Sequence, residues 1–161
     1  MKKLLCAFLA LALIAAPLVS CSAPKAAKSL DLDKARADIE ALGIYPSLTE
    51  PDDALLKDVY GIDPALTVKR AVGVPLINVH AAMYWLVLAK DAADAEALRG
   101  QLESYFADYQ KMWDSYLPAQ ADLVKNRLEA SYDTDEGVWL LYVISEDNEA
   151  VRAAVEGALV K

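Results

Sequence analysis

The sequence predicts an α+β domain in which helices pack on one face of an antiparallel sheet of about four strands. Three observations predict it. Two pairs of β-branched and aromatic segments are each joined by a turn-forming stretch, each pair leads into a helical segment, and only helical periodicity precedes the first pair. Two hairpins that each lead into a helix indicate helices segregated to one side of the sheet. The expected order is α-α-β-β-α-α-β-β-α.

Two short helices are expected at the start of the domain. Residues 32–42 carry apolar side chains at helical spacing, with Asp31 placed to cap the first turn and Gly43 to end the helix. The second helix has Pro51 at its first helical position, where the missing N–H costs nothing, and it ends at Gly61.

The first predicted hairpin follows these helices. Residues 67–74 are β-branched and partly alternating, and Pro75 then indicates a sheet edge or a bulge. Residues 78–90 are apolar on both alternating faces, which predicts a central strand. A helix is the competing interpretation for this segment, because Ala, Met and Leu also favour helices.

A long amphipathic helix is predicted after the first hairpin. Asp91 is its N-cap and Pro118 ends it, and a shorter helix follows over residues 119–126. Its apolar side chains fall within a stripe of about 80° when each residue turns by 100°. The stripe contains Ala95, Leu98, Leu102, Phe106, Tyr109, Trp113 and Tyr116.

The second hairpin and a final helix complete the predicted domain. Residues 127–132 and 138–145 are strand-like and flank the turn-forming stretch 133–137. Asp147 is placed to cap the last helix, whose apolar residues again lie on one face.

The first twenty residues have the pattern of a secretory signal peptide. Two lysines precede the apolar run of residues 4–16, which is shorter than the roughly 20 residues of a membrane span. The following residues 18–21, LVSC, resemble the bacterial lipobox. That resemblance implies cleavage before Cys21 and a diacylglycerol on its sulfur. The alternative is an ordinary secretory leader that contains a cysteine.

These observations predict three regions: residues 1–20 as lipoprotein signal peptide, 21–29 as lipidated N-terminus and tether, and 30–161 as one α+β domain. Cys6 would leave with the leader and Cys21 would become a thioether. The mature domain would then contain no thiol, which excludes a disulfide, a cysteine nucleophile and a thiolate metal site.

Charge and motifs argue against several classes of function. The chain has 24 acidic and 16 basic residues, and no basic stripe that would suit nucleic acid. Its glycines form neither a P-loop nor a dinucleotide-binding pattern. We therefore expect no nucleic-acid partner and no cofactor.

The candidate site residues favour structural roles. His80 is the only histidine and has no metal or acid–base partner at a fixed spacing. Residues 133–137, DTDEG, hint at a calcium loop, but their spacing fits a hairpin turn better. Asp52 and Asp53 suit a helix N-terminus. We predict no catalytic and no metal-binding residue, and Cys21 is the one site residue proposed.

The aromatic residues allow two interpretations. Tyr84, Trp85, Tyr109, Trp113, Tyr116, Trp139 and Tyr142 could line a groove for sugars or peptides. Most of them also fall on predicted core faces, and we favour the core interpretation. The corner at residues 113–118 is the exception, because polar tips at a helix end can be exposed. Sequence alone leaves Trp113 and Tyr116 open between core and binding surface.

Three longer stretches carry a family resemblance: LLKDVYGID, LVLAKDAADAEALRGQLE and WDSYLPAQADLVKNRLEAS. Together with the strand–helix ending they resemble the bacterial lipoprotein family catalogued as domain of unknown function 4358, over about residues 32–159. The resemblance implies a lipobox leader, no established activity and no catalytic residues to carry over. It also implies the outer face of the cytoplasmic membrane.

We therefore expect a lipid-anchored, extracytoplasmic, non-catalytic domain that binds an envelope protein or a small ligand. The alternative is a small envelope-acting enzyme whose site is assembled only in the fold. A deep pocket of converging polar residues including His80 would favour the enzyme. An exposed apolar patch or an open sheet edge would favour protein binding.

Overall fold

The computed structural model describes residues 27–161. The predicted signal peptide, Cys21 and most of the predicted tether lie outside the described residues. The elements, in chain order, are β1 (Ser29–Leu30), α1 (Leu32–Ala41), β2 (Leu48–Thr49), α2 (Asp53–Asp58), a 3₁₀ turn (Pro64–Leu66), β3 (Lys69–Pro75), β4 (Met83–Ala89), α3 (Ala92–Tyr116), α4 (Pro118–Lys125), β5 (Leu128–Thr134), β6 (Gly137–Ile144), α5 (Asn148–Gly157) and β7 (Leu159–Val160).

The main sheet is antiparallel and has the order β2-β3-β4-β6-β5. Both predicted hairpins are present, and they join through β4 and β6, whose register runs from Met83↔Ile144 to Ala89↔Val138. The predicted four strands become five, with a separate two-stranded sheet of β1 and β7. The sequence missed β1, β2 and β7 because a two-residue strand has no detectable alternation.

Helices cover both faces of the sheet, so the prediction of a single covered face is wrong. On one face α2, α3 and α4 pack on side chains such as Trp85 and Tyr142. On the other face α1 and α5 pack on side chains such as Leu86 and Leu141. Every residue of β4 is buried. Because alternate residues of a strand point to opposite faces, a strand that is apolar on both needs a layer on each side.

Carboxylate caps begin the main helices. Asp31, Asp91 and Asp147 each accept a backbone N–H of the first turn, which confirms these predicted caps. Gly43 and Gly61 follow α1 and α2 and both have positive φ.

The start of α2 differs from the prediction. The Asp52 carboxylate accepts the N–H of Leu55 at 2.8 Å, which makes Asp52 the N-cap of a helix that begins at Asp53. Pro51 therefore precedes the cap instead of occupying the first helical position. A side-chain acceptor that satisfies an otherwise free N–H decides where the helix begins.

β4 begins five residues later than predicted. The N–H of Ala81 donates to the Gln120 side chain at 2.7 Å, and the carbonyl of Ala81 accepts the Tyr109 hydroxyl at 3.3 Å. Side chains from α3 and α4 thus take the place of a neighbouring strand before Met83. His80 consequently lies in the β3–β4 loop, and the helical interpretation of residues 78–90 is wrong.

The two ends of the described chain are paired. β1 pairs antiparallel with β7, Lys28 N–H donates to Val160 O at 2.8 Å, and Ala27 forms a parallel bridge with Thr134. Residues 27–29, assigned to the tether from sequence, therefore hydrogen-bond to the body of the domain.

Among residues 27–161, none of the helices is both long enough and apolar enough to span a bilayer.

Candidate functional site: an apolar groove along α3

A groove runs along α3, between this helix, the residues after α2 and the β3–β4 loop. It consists of two adjoining cavities that share Val59, Tyr60, Tyr105, Tyr109 and Met112. We call the cavity towards the end of α3, about 630 Å³, the aromatic arm; its other lining residues are Pro75–Asn78, His80, Met83, Trp113 and Tyr116. We call the cavity along the middle of α3, about 700 Å³, the polar arm; its other lining residues are Lys57, Asp58, Gly61, Ala97, Gly100, Gln101, Ser104 and Asp108.

Aromatic rings in contact with each other form one wall of the groove. Tyr105, Tyr109 and Trp113 follow each other at intervals of four on α3, and helical spacing places them on one face. The Tyr105 and Tyr109 rings stack with centroids 5.4 Å apart, and Trp113 meets Tyr109 edge-on at 5.9 Å. Tyr116 continues the row at 5.7 Å from Trp113. Such pairs hold one another in place and present a rigid surface.

The aromatic arm is unusually exposed for an apolar surface. Nine large apolar side chains are exposed among the described residues, and five of them line this arm. They are Val59, Leu76, Ile77, Met112 and Tyr116, which are 49–63% exposed. Single exposed apolar side chains are ordinary, but a clustered set around a concave surface is typical of a binding site.

The lining of the aromatic arm contains no Asp, Glu, Lys or Arg. Burial raises the pKa of Tyr109 to about 12, an effect that the nearby Trp113 side chain partly opposes. Burial also raises the pKa of Tyr60 and, more strongly, that of Tyr105. These hydroxyls therefore stay protonated at neutral pH. The other polar side chains of the arm are Asn78, His80, Trp113 and Tyr116.

The polar arm has a different chemistry. Its wall along α3 is formed partly by small residues, Ala97, Gly100 and Ser104, and its charged lining residues are Lys57, Asp58 and Asp108. Gln101 is held in place because its side-chain oxygen accepts the N–H of Asp63 at 2.9 Å. The groove thus joins an end that lacks Asp, Glu, Lys and Arg to an end that contains Lys57, Asp58 and Asp108.

The sequence model of the family described as domain of unknown function (DUF4358) matches residues 40–145. The chain belongs to the DUF4358 family. No curated protein and no solved structure matches it. The matched segment spans β2 to β6 and includes every residue that lines the groove, whereas most of α1 and all of α5 lie outside it.

His80 of this DUF4358 domain lies at the edge of the groove and also lines a third cavity, of about 330 Å³, outside the two arms. This third cavity is also lined by Tyr45, Gln120 and Glu146. Gln120 already holds the Ala81 N–H, and burial raises the pKa of Tyr45. Residues 27–161 contain no group of three or more His, Cys, Asp or Glu placed to hold a metal ion.

The other singled-out acidic residues have local partners. Asp52 caps α2, and Asp53 forms an ion pair with Arg70 at 2.6 Å. The predicted hairpin turn lies between β5 and β6 but is shorter than residues 133–137: β5 continues to Thr134 and β6 begins at Gly137, so residues 135–136 form the turn, and the Thr134 hydroxyl donates to Gly137 O at 2.9 Å. Gly137 has φ 135°, and a Cβ there would lie 2.2 Å from Ala89 O, so the turn requires glycine.

The aromatic residues divide between core and surface. Tyr84, Trp85, Trp139 and Tyr142 are buried, which confirms the core interpretation for them. Trp113 is 1% exposed and belongs to the core, whereas Tyr116 is 55% exposed. Sequence reasoning missed Leu76 and Ile77. The one signal that could have indicated them is that two large apolar residues stand between Pro75 and Asn78, in a stretch without strand alternation.

The outer edge of the sheet offers a poorer docking surface. β5 is an edge strand, and Glu129, Ser131 and Asp133 are its exposed side chains. Charged side chains on an edge strand oppose the addition of a further strand. The groove along α3 is therefore the stronger candidate.

Proposed function

We propose that this DUF4358 protein is a lipid-anchored, extracytoplasmic, non-catalytic domain that binds a partner at the bacterial cell envelope. The observation that supports binding is the groove, whose aromatic arm exposes five large apolar side chains around one concavity. Burying such side chains in a complex contributes roughly 25 cal/mol per Å² of apolar surface. The expected partner is an envelope protein.

The support for anchoring comes from the leader and the LVSC pattern at residues 18–21. Each CH₂ of an acyl chain contributes about 0.8 kcal/mol on entering a bilayer, and stable attachment needs more than one chain. A diacylglycerol on Cys21 meets that need without a membrane-spanning helix.

The fold also separates Ala27, the first described residue, from the aromatic arm. Ala27 bridges to Thr134, at the end of the sheet where Ala89 leads into the start of α3. Trp113 and Tyr116 lie at the other end of α3, whose 25 residues span about 37 Å. A domain tethered through residues before Ala27 would present the aromatic arm away from its attachment point, where protein partners can reach it.

An envelope-acting enzyme is the second candidate, and the cavity shared by His80, Tyr45 and Glu146 is what favours it. We rank it lower because burial raises the pKa of Tyr45 and so disfavours the tyrosinate that a general base would need, and because Gln120 is already bonded to the β3–β4 loop.

The anchor is tested by replacing Cys21. We expect Cys21→Ser to move the protein out of the detergent phase in a detergent-partitioning experiment, because the acyl chains lose their attachment atom. Cys6→Ser is the matched control and should leave partitioning unchanged, because Cys6 is removed with the leader. Equal partitioning of Cys21→Ser and the wild type would contradict the lipid anchor.

Binding at the groove is tested by crosslinking in the native cell. A photoreactive amino acid at Leu76 or Met112 should give one discrete crosslinked species containing an envelope protein. The same amino acid at Val160, which is 44% exposed and lies at the opposite end of the domain, is the control. Crosslinks that are equal from all three positions, or absent from the groove, would rule out the groove as the binding surface.

A further inference from the structure

We propose that the occupant of the groove is an amphipathic helix of a partner protein, with an apolar face and basic residues beside it. This inference rests on the proposed function, in which the groove is the binding surface. Four features of the groove lead to it: its length, its lack of backbone partners, a glycine in its wall and its charge.

The groove is long in comparison with a compact ligand. It runs beside α3 from Ala97 to Tyr116, which is about 28 Å at 1.5 Å per residue. A helix of about five turns has the same length. The two arms adjoin at Tyr105, Tyr109 and Met112, which line both of them, so one straight segment can contact both.

The largely apolar lining of the aromatic arm favours a helix over an extended peptide as the bound segment. An extended peptide carries free N–H and C=O groups, and each needs a partner when it is buried. Besides Asn78 and His80, the polar side-chain groups of the aromatic arm are the hydroxyls of its four tyrosines and the Trp113 N–H, and the Tyr109 hydroxyl already donates to Ala81 O. Its wall is α3, whose backbone is already hydrogen-bonded. A helix satisfies its own backbone and needs only apolar contact.

No interaction within the domain explains why residue 100, inside α3, is a glycine. It lies in the interior of α3, where glycine is less stable than alanine. Its φ is not positive, and a Cβ at this position would have no heavy atom within 4 Å, so neither backbone conformation nor internal packing requires glycine. Gly100 lines the polar arm between Ala97 and Ser104. A helix that crosses α3 closely at this point would require a small residue here.

The negative charge of the domain indicates which charged residues the partner helix carries beside its apolar face. All 24 acidic residues but only 13 of the 16 basic ones lie in the described part of the chain. In the polar arm the lining carboxylates Asp58 and Asp108 outnumber the one lining cation, Lys57, and Asp108 also pairs with Lys111 at 2.9 Å. Charge complementarity therefore favours a partner with Lys or Arg beside its apolar face and disfavours an acidic one.

The test uses two synthetic 18-residue helical peptides with the same Leu/Ala face, one with Lys and one with Glu on the polar face. The full chain is held in nanodiscs of neutral lipid, and binding of labelled peptide is measured by fluorescence anisotropy against empty nanodiscs. We expect the Lys peptide to bind at least about tenfold more tightly than the Glu peptide, a difference of ~1.4 kcal/mol.

Two glycine variants locate the binding. Gly100→Leu should weaken binding of the Lys peptide by about tenfold or more, because its side chain fills the groove. Gly157→Leu is the matched control: Gly157 is also helical with open space around it, but it ends α5 on the other face of the sheet. Gly100→Ala should weaken binding less and raise the thermal unfolding midpoint, which separates a binding defect from a folding defect.

Three results would overturn the proposal: equal binding of the two peptides, no binding of either, or wild-type affinity of Gly100→Leu. Self-association of the chain that Gly100→Leu abolishes would also overturn it, because the occupant would then be a second copy. If the peptides fail while Leu76 and Met112 still crosslink to one envelope protein, the helix is wrong and the proposed function stands. If both experiments fail, the proposed function falls as well.

Discussion

At the scale of single residues, Trp113 and Tyr116 show how closely core and surface adjoin on α3. Their rings are 5.7 Å apart, yet Trp113 is 1% exposed and Tyr116 is 55% exposed. Trp113 packs in the cluster that includes Phe106 and Val124. Tyr116 covers the outer side of Trp113 and lines the aromatic arm. The two residues should therefore differ sharply in their contributions to stability.

We predict that Trp113→Ala lowers the free energy of unfolding by about 3–5 kcal/mol, because it leaves a large cavity in the core. Tyr116→Ala should change it by no more than about 0.5 kcal/mol, as expected of an exposed position. Urea unfolding followed by circular dichroism measures both. Similar losses for the two variants would mean that Tyr116 belongs to the core and is not a free binding surface.

Sequence periodicity predicted most of the α3 stripe correctly. Ala95, Leu98, Leu102, Phe106 and Trp113 are all buried. Tyr109 and Tyr116 satisfy the same periodicity but are half-buried and exposed, respectively. Periodicity states which face of a helix is apolar, and it does not state how far along that face a sheet extends.

At the scale of elements, the aromatic arm of the groove follows from the length of α3 relative to the sheet. The 25 residues of α3 span about 37 Å, whereas the seven residues of β4 span about 24 Å. The last turns of α3 therefore extend beyond β4. The β3–β4 loop covers part of this overhang, with the Ala81 carbonyl bonded to Tyr109, and the remainder is the aromatic arm.

The beginning of α3 depends on one carboxylate. Asp91 accepts the N–H groups of Ala93 and Asp94 at 2.9 and 3.0 Å. We predict that Asp91→Ala lowers the free energy of unfolding by about 1 kcal/mol, the usual cost of losing an N-cap. Chemical denaturation measures it. Glu103→Ala, at an exposed position within α3, is the control and should stay within about 0.5 kcal/mol of wild type. Equal effects would show that the cap contributes nothing specific.

At the scale of the whole molecule, buried and partly buried tyrosines make the free energy of unfolding depend on alkaline pH. Burial raises the pKa of Tyr109, Tyr132 and Tyr142 to about 12, from the usual value of about 10. As pH rises past about 10 the unfolded chain loses these protons first, so the unfolded state binds fewer protons than the native state. The free energy of unfolding must then fall with rising pH until the native groups also titrate.

We therefore predict that the urea midpoint is insensitive to these tyrosines below about pH 10 and decreases between about pH 10 and 12. Tyrosinate absorbance near the midpoint should rise together with the loss of helical signal, because the buried hydroxyls ionise on unfolding. A midpoint that stays constant while tyrosinate forms at about pH 10 would contradict burial of these side chains.

The sequence by itself determined the local structure: the hairpins, the helices, the Asp31, Asp91 and Asp147 caps and the turn between β5 and β6. These features depend on hydrogen bonds and periodicities between residues close in the chain. Only the tertiary structure decided that β4 pairs with β6, that helices cover both faces, and that residues as distant as Val59, Leu76 and Tyr116 meet in one groove. Those outcomes depend on which apolar faces of the strands must be buried by helices and on the length of α3 relative to the sheet. Neither can be read from a single segment of the sequence.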